Sequence, residues 1–290
     1  MTRIDELIME GISAHQTGDL DRAALLYEQA IALNADPLHM SMAHFNLAQA
    51  LTAGGQLENS ITHLQEAVHH DARNLSAWDH LTQLLLREHR YAEAEFSALN
   101  ALQLHPMDAH LLTRLGIAIA SQQRFGEALN YFQQALQLDR NEAEAWAQLG
   151  AILFLHNDLG SARDALQTAI ALNDQDLNVL RHLALVELRL NNRNGAIAHF
   201  ERLLRLNPSD HSARLDLAVI LLADNQAEAA LEQLDCITGP ARDATKFMFY
   251  QATALQQTGH QEAGRMILQQ LSQQQDDPYA DKARTLLATC

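Results

Sequence analysis

Histidine is the residue type in this chain with the clearest capacity for chemistry, since an imidazole ligates metals and transfers protons near neutral pH. The sequence holds 15 histidines, and His44, His63 and the pair His69-His70 fall close together. Zinc sites usually combine cysteines or histidines at short, fixed spacings, and the chain has no HExxH motif and no cysteine pair. We therefore predict no metal site and interpret most of these histidines as solvated surface residues.

The sequence contains no motif typical of a catalytic site. It lacks the GxxxxGK[ST] loop that cradles phosphates, the GxGxxG fingerprint and the GxSxG nucleophile turn. The adjacent acids Asp276-Asp277 are better explained as the cap of a helix that begins at Pro278. We predict no catalytic residues and no cofactor, and hence a non-enzymatic protein.

Charge and cysteine usage restrict the partners and the compartment. The formal net charge of −16 argues against sequence-independent binding of nucleic acid. Cys236 and Cys290 are too few for a disulfide scaffold, which favours a reducing compartment. The amino terminus carries Asp5, Glu6 and Glu10 instead of a basic stretch followed by an apolar one, and no run of about 18 apolar residues occurs. We expect a cytoplasmic protein that does not bind membranes.

The elements that position the remaining polar residues recur every 34 residues. Trp78 and Trp146 lie two steps apart, and Pro106 and Pro208 lie three steps apart. When each repeat is numbered from one, positions eight and twenty are small throughout, as expected where two helices pack closely. Position eight holds Gly11, Ala48, Thr82, Gly116, Gly150, Ala184, Ala218 and Ala252, and position twenty holds Ala23, Ser60, Ala94, Ala128, Ala162, Ala196, Ala230 and Gly264.

This pattern of columns resembles the tetratricopeptide repeat family. The family's bulky residue, Leu-Gly, aromatic, alanine and closing proline columns are matched by Trp146, Leu149-Gly150, Ala162 and Ala169, by Ala128, Phe132 and Ala135, and by Pro106 and Pro208. The resemblance covers roughly residues 4 to 272. It implies an all-α fold, a right-handed superhelical solenoid of about eight helix-turn-helix repeats with a C-terminal capping helix.

We expect one continuous domain over residues 1–290. The repeats are predicted at residues 4–37, 41–74, 75–108, 109–142, 143–176, 177–210, 211–243 and 245–275, and the capping helix at 278–289. The step between the first two repeats is 37 residues, which predicts a longer turn near Asn34–Leu38. Gly239-Pro240 is predicted to end the second helix of the seventh repeat early.

On the first helix of each repeat, positions two, six, nine and thirteen lie opposite the apolar seam. In the family this stripe lines the concave surface where extended peptides bind, so the resemblance implies a peptide-binding groove here. Its predicted residues are Asn46, Gln49, His80, Gln83, Arg87, Arg114, Ile117, Gln148, Ala151, Phe154, Arg181, His182, Leu185, Arg189, Asp216 and Val219. The stripe changes from amide-rich in the early repeats to apolar in the later ones.

The favoured function is therefore a scaffold or adaptor that binds an extended segment of another protein. Arg87, Arg114, Arg181 and Arg189 in an acidic chain favour a ligand with acidic groups. The pattern by which some members of the family grip the C-terminal carboxylate of chaperones is not matched in any three repeats. Two alternatives stay open: a regulatory or substrate-recruiting arm of a glycosyltransferase, a methyltransferase or a secretion or polysaccharide assembly machine, and self-association.

Overall fold

The computed structural model describes residues 2–289, with side chains up to Ala288. This range contains helices and no strand, which confirms the all-α prediction. The α-helices are α1 Arg3–Gln16, α2 Leu20–Ala32, α3 Pro37–Ala53, α4 Leu57–His70, α5 Leu75–Arg87, α6 Tyr91–Leu104, α7 Ala109–Ser121, α8 Phe125–Leu138, α9 Ala143–Leu155, α10 Leu159–Leu172, α11 Leu177–Arg189, α12 Arg193–Leu206, α13 His211–Ala223, α14 Ala227–Asp235, α15 Thr245–Gln257, α16 Gln261–Ser272 and α17 Pro278–Thr289. A short 3-10 helix, Gly239–Asp243, follows α14.

The turn inside every repeat has the same backbone conformation. One residue in each turn has a positive φ, which is costly for most L-residues and is often met by glycine or asparagine. These residues, spaced by 34 after the second, are Gly18, Gly55, His89, Gln123, Asn157, Asn191, Asn225 and Gly259. The helices that follow the turns between repeats mostly begin at a capped residue, as where the Asp108 carboxylate accepts the Leu111 N–H at 3.1 Å.

The two columns of small residues lie in the core, as the repeat register predicts. Seven alanines and serines of position twenty are fully buried, and Gly264 completes the column. At position eight, a Cβ atom added to Gly116 would lie 2.6 Å from the Phe132 ring, and one added to Gly11 would lie 2.5 Å from Tyr27. The paired helices therefore approach so closely that there is no room for a methyl group beside these rings.

Three predictions about individual elements can be compared with the structure. The longer turn near Asn34–Leu38 was a wrong expectation: four residues separate α2 from α3, as they separate α4 from α5, and α3 is 17 residues long instead of 13. Asp36 accepts hydrogen bonds from the first turn of α3, and Pro37 fits the first helical position, so the extra residues extend the helix. The early end of α14 at Asp235 and the helix beginning at Pro278 are confirmed, the latter with Asp277 as its cap.

The chain divides into two compact units, Met1–Gln148 and Leu149–Cys290, which we call unit 1 and unit 2. In unit 1, apolar side chains of α1 to α3 form one core cluster, and those of α3 to α7 form another. In unit 2, α15 to α17 share a cluster that includes Ala252, Leu268 and Ala283. The prediction of one continuous domain stays a prediction.

None of the helices in residues 2–289 combines the length and the apolar character that crossing a membrane requires.

Candidate functional site

The predicted stripe on the first helices, which we call the first-helix stripe, lies at the border between core and solvent. Gln83, Arg87 and Arg189 are exposed, and the other thirteen predicted residues are half-buried. A half-buried side chain is held in place by its neighbours but keeps one face available to a partner. Each compact unit carries its own part of the stripe, and the two parts differ in chemistry.

In unit 1, a polar network connects α5, α7 and the start of α9. The Arg114 Nε atom lies 2.7 Å from the Asp79 Oδ1 atom in an ion pair, and it donates a hydrogen bond to His110 Nε2 at 2.9 Å. Because Nε2 accepts, the neutral His110 ring carries its proton on Nδ1, which faces a carboxylate oxygen of Glu142 at 3.8 Å. The side chain of Arg114 is only 13 % exposed, so its positive charge is already used within the chain.

His110, Glu142 and Glu144 form the one group in the described residues that brings three potential metal-ligating atoms within 4.8 Å of one another. Burial raises the pKa of the Glu142 carboxyl, an effect that His110 opposes and Glu144 reinforces. The proton on His110 Nδ1 and the hydrogen bond from Arg114 to Nε2 occupy both ring nitrogens. This arrangement is that of a hydrogen-bonded charge network, and we assign no metal to it.

The amide part of the unit 1 stripe is less engaged. Asn46 Nδ2 donates to the Met42 carbonyl of its own helix at 2.8 Å, and His80 Nε2 lies 3.4 Å from Thr52 Oγ1. Burial lowers the pKa of His80, so its ring is neutral at pH 7. Within residues 2–289, the side-chain amides of Gln49 and Gln83 make no hydrogen bond, which leaves both able to bind the backbone of another chain.

In unit 2, alternating charges connect α11, α13 and α15. Arg181 Nη2 donates to Asp210 Oδ2 at 2.6 Å, and its Nη1 atom lies 3.8 Å from Asp216 Oδ2. Lys246 Nζ donates to the other oxygen of Asp216 at 2.8 Å. Predicted stripe residues Arg181 and Asp216 thus interact with each other and are neutralised locally.

The rest of the unit 2 stripe is apolar and aromatic. The Arg189 guanidinium lies over the Phe154 ring, 5.6 Å from its centre, and donates to Asn157 Oδ1 at 2.7 Å. Leu185 and Val219 are half-buried beside the core. Burial lowers the pKa of His182, so the His182 ring, like that of His80, is neutral at pH 7. This surface offers apolar contacts with a single exposed cation at its edge.

Three histidines of the second repeat, His44, His63 and His70, lie closer together and are more buried than the sequence predicts. His44 is 7 % exposed, and its Nδ1 atom lies 2.9 Å from Nδ1 of His63. The rings of His44 and His70 are stacked, with 5.6 Å between their centroids. The expectation that these histidines are solvated is therefore wrong for His44 and incomplete for His63 and His70, which are half-buried. Spacing along the chain did not indicate this contact, because His44 lies on α3 and the other two on α4.

Comparisons with known proteins agree with the repeat register. A family model described as tetratricopeptide repeat matches residues 8–77, 81–143 and 182–238, and a second model with the same description matches residues 120–185. No curated protein matches the chain. Among solved structures, PilF of Pseudomonas aeruginosa is 22% identical with a TM-score of 0.59, over 72% of this chain and 93% of that one.

Two further solved structures are similar. PilW, described as a type IV pilus biogenesis factor, is 20% identical with a TM-score of 0.60, over 67% of this chain and 90% of that one. A tetratricopeptide repeat protein from Parabacteroides merdae is 16% identical with a TM-score of 0.67, over 87% of this chain and 99% of that one. At these identities the likeness shows the fold alone.

Proposed function

The chain belongs to the tetratricopeptide repeat family, and we propose that it is a non-enzymatic adaptor that binds an extended segment of another protein on its first-helix stripe. The observation that carries this proposal is that the stripe side chains lie outside the core, most of them half-buried, and differ in chemistry between unit 1 and unit 2. An extended peptide needs partners for its backbone amides and apolar surface for its side chains. The part of the stripe in unit 1 supplies polar partners, and the part in unit 2 supplies apolar surface.

The unit 1 stripe is suited to the backbone of a partner. Gln49 and Gln83 each offer one acceptor and two donors, and neither spends them within the described chain. A side-chain amide that is already positioned by half-burial or by its helix loses less conformational entropy on binding. We therefore assign backbone recognition to these glutamines and to neighbouring Asn46.

The unit 2 stripe is suited to apolar side chains of a partner. Phe154, Leu185 and Val219 are half-buried, and Arg189 is held against the Phe154 ring by a cation–π contact. Because Asp79 and Asp210 already neutralise Arg114 and Arg181, an acidic ligand would have to compete with carboxylates of the chain itself. These ion pairs support a partner segment with little net charge over the acidic one that the arginines first indicate.

Affinity measurement with selected peptides tests this proposal. A displayed library of unstructured peptides is selected on the full chain, and recovered sequences are measured by fluorescence anisotropy. We expect Gln49→Ala with Gln83→Ala to weaken binding at least about tenfold, the equivalent of roughly 1.4 kcal/mol. Since neither side chain has a partner within the described residues, the melting temperature should stay unchanged.

The matched control is Gln133→Ala with Gln134→Ala on α8, where both glutamines are exposed and lie off the stripe. Unchanged affinity in this control supports the assignment. Equal losses in both double variants, or wild-type affinity in the stripe variant, would show that peptides bind elsewhere.

A further inference from the structure

The 37-residue step between the first two repeats adds a turn to α3. The first helices of the third to eighth repeats have 13 residues each, whereas α3 has 17 and begins before the first residue of its repeat. His39 lies in this added turn. Arg73 and Met107, the equivalent residues of the next two repeats, lie in the turns before α5 and α7. The lengthened helix therefore places a side chain where the later repeats have no helix.

The added turn brings His39 between two carboxylates. Its Nδ1 atom lies 2.6 Å from Asp36 Oδ2, at the start of the same helix, and its Nε2 atom lies 3.0 Å from Asp5 Oδ1, on α1 of the preceding repeat. We call Asp5, His39 and Asp36 the carboxylate–histidine bridge. It joins the amino-terminal ends of α1 and α3, and hence the first repeat to the second.

Both carboxylates are held in place by a second role as helix caps. Asp36 Oδ1 accepts hydrogen bonds from the backbone N–H groups of Leu38 and His39 at 3.2 and 3.3 Å. Asp5 Oδ2 accepts from the Thr2 backbone N–H at 2.7 Å and from the Thr2 hydroxyl at 2.8 Å. Each acid thus uses one oxygen for the end of its own helix and the other for the imidazole. The bridge is complete as it stands, without movement of any of these side chains.

The geometry requires a protonated histidine. Ionised carboxylates only accept hydrogen bonds, so both ring nitrogens can donate only when each of them carries a proton. The hydrogen bonds to Asp36 and Asp5 raise the pKa of His39 above its ordinary value of 6.5, and burial opposes this effect. The same ring lowers the pKa of Asp36, and hydrogen bonds from Thr2 and His39 lower the pKa of Asp5.

Loss of that proton breaks the link between the two repeats. A neutral imidazole has only one N–H. The shorter contact, to Asp36, retains it, because donor and acceptor belong to the same helical turn, and the Nε2 lone pair then faces the Asp5 carboxylate. Within residues 2–289 the ring has no third ion-pair partner, and Arg3 and Glu6, the other charged residues in the first turn of α1, pair with each other at 3.1 Å. No other charge in this range therefore replaces the lost contact.

We propose that the carboxylate–histidine bridge is a pH-operated clasp, which fixes the start of α1 to α3 while His39 is protonated and releases it as the pH rises. Because the pKa of the folded state is raised, the clasp is closed below the ordinary pKa of histidine and opens at mildly alkaline pH. Ile4, Leu7 and Ile8 are buried in the core, so opening loosens the first turns of α1 and does not detach the helix. No residue of the bridge belongs to the first-helix stripe, so the inference is independent of peptide binding.

Nuclear magnetic resonance and hydrogen exchange of the full chain test the proposal. The His39 ring resonances are assigned by comparison with His39→Gln and titrated between pH 5 and 9. Amide exchange in the first two turns of α1 is measured at pH 6 and 8.5 and corrected for the intrinsic rate. We expect His39 to titrate above pH 6.5 and the protection of these amides to fall about two- to fivefold at the higher pH, as for the loss of an exposed ion pair. In His39→Gln, whose side chain cannot change its charge, protection should be the same at both pH values.

Asp5→Asn separates the clasp from the general charge of the chain. This variant keeps an acceptor oxygen for the cap of α1 but removes the charge that faces Nε2, so the pKa of His39 should fall and the pH dependence of α1 exchange should shrink. Glu6→Gln is the matched control, because it removes a charge from the same turn of α1 that pairs with Arg3 and not with His39. It should leave both measurements at their wild-type values. Circular dichroism checks that all three variants are folded.

Three results would overturn the proposal. A wild-type His39 that titrates at or below pH 6.5 would mean that the ring is not held as a cation. Protection of α1 that does not change with pH in the wild type, or that changes equally in His39→Gln, would mean that the bridge does not control this helix. Equal effects of Asp5→Asn and Glu6→Gln on the His39 titration would assign the raised pKa to the overall acidity of the chain.

Discussion

The hairpins α3–α4 and α11–α12 share one framework and fill it with different chemistry. Both carry small buried residues at positions eight and twenty, Ala48 with Ser60 in the first and Ala184 with Ala196 in the second. Both also carry a half-buried histidine at position twenty-three, His63 and His199. They differ at position four. In the first hairpin this position holds His44, which contacts His63, and in the second it holds Leu180, which is fully buried.

The comparison shows that some positions are needed to form a repeat, whereas others can differ from one repeat to the next. The small columns set the distance between the helices, and they are kept in both hairpins. The large residue at position four only has to fill volume, so it can be exchanged for one with chemistry of its own. A histidine at position twenty-three becomes part of a pair only where position four also supplies an imidazole.

The largest effect is expected from emptying position four in the apolar hairpin. Leu180→Ala should lower the free energy of unfolding by about 2–5 kcal/mol, because the side chain is fully buried and leaves a cavity. His44→Leu, which gives the second repeat the residue of the sixth, should change it by less than about 1.5 kcal/mol. Chemical denaturation followed by circular dichroism measures both. Similar losses in the two variants would mean that His44 is as necessary to its seam as Leu180 is.

The second largest effect is expected from lowering the pH, which should reduce the stability of the α3–α4 hairpin through His44. The pKa of His44 is lowered to about 4 in the folded chain, so between about pH 6.5 and 4 the unfolded chain binds this proton more readily. Stability from this group is therefore present above pH 6.5 and is lost as the pH falls toward 4, by roughly 3 kcal/mol. His63, His182 and His199 also have lowered pKa values and act in the same direction.

The contribution of His44 is isolated by comparing the wild type with His44→Leu at pH 7.5, 6 and 5. The wild type should lose more stability over this range than the variant. Parallel pH profiles would contradict the assignment of the lowered pKa to the buried His44 ring.

The sequence predicts the repeat framework well because its determinants are local. Small residues 34 apart, helix caps and turn residues each act within one hairpin, so the register, the early end of α14 and the cap at Asp277 could all be anticipated. The step of 37 residues was correctly located near Pro37, but the sequence did not show whether three residues enter a turn or a helix. The first turn of α3, capped by Asp36, took them up.

The candidate site was less predictable because it depends on contacts between repeats. Arg114 and Asp79 are on different repeats, and only the approach of α5 to α7 shows that their charges cancel. Helical periodicity predicts which side chains lie on the stripe. It does not predict which of their charges are neutralised by other residues of the chain. Position four of the seventh repeat was equally hard to interpret, because it holds Arg214. The Arg214 guanidinium donates to the Pro208 carbonyl, six residues earlier, just as the Trp78 indole donates to the Ala72 carbonyl, six residues earlier, in the third repeat.

A smaller effect should follow from adding one methyl group to the framework. Gly116→Ala should destabilise the chain by about 1–3 kcal/mol, because its Cβ would lie 2.6 Å from the Phe132 ring. The matched control is Gly160→Ala, which meets nothing within 4 Å and should stabilise α10 by up to about 1 kcal/mol. Thermal melting of both variants measures the difference. A neutral Gly116→Ala would show that α7 and α8 can separate to the spacing that Ala184 and Phe200 adopt in α11–α12.

The smallest effect concerns the charges that distinguish the unit 2 stripe from the amides of α3. Lys246 and Asp216 are joined at 2.8 Å, but their side chains are 39% and 33% exposed, so water and salt screen the pair. A double-mutant cycle with Lys246→Met and Asp216→Asn should give a coupling free energy of about 0.2–1 kcal/mol at low salt. The coupling should shrink in 0.5 M sodium chloride, whereas Asn46→Ala on α3 should be insensitive to salt, because Asn46 bonds only a carbonyl of its own helix. A coupling free energy well above this range that persists in salt would contradict this expectation. It would show that the four charges of Arg181, Asp210, Asp216 and Lys246 act together, shielded from solvent. Ion pairing would then contribute to the stability of unit 2.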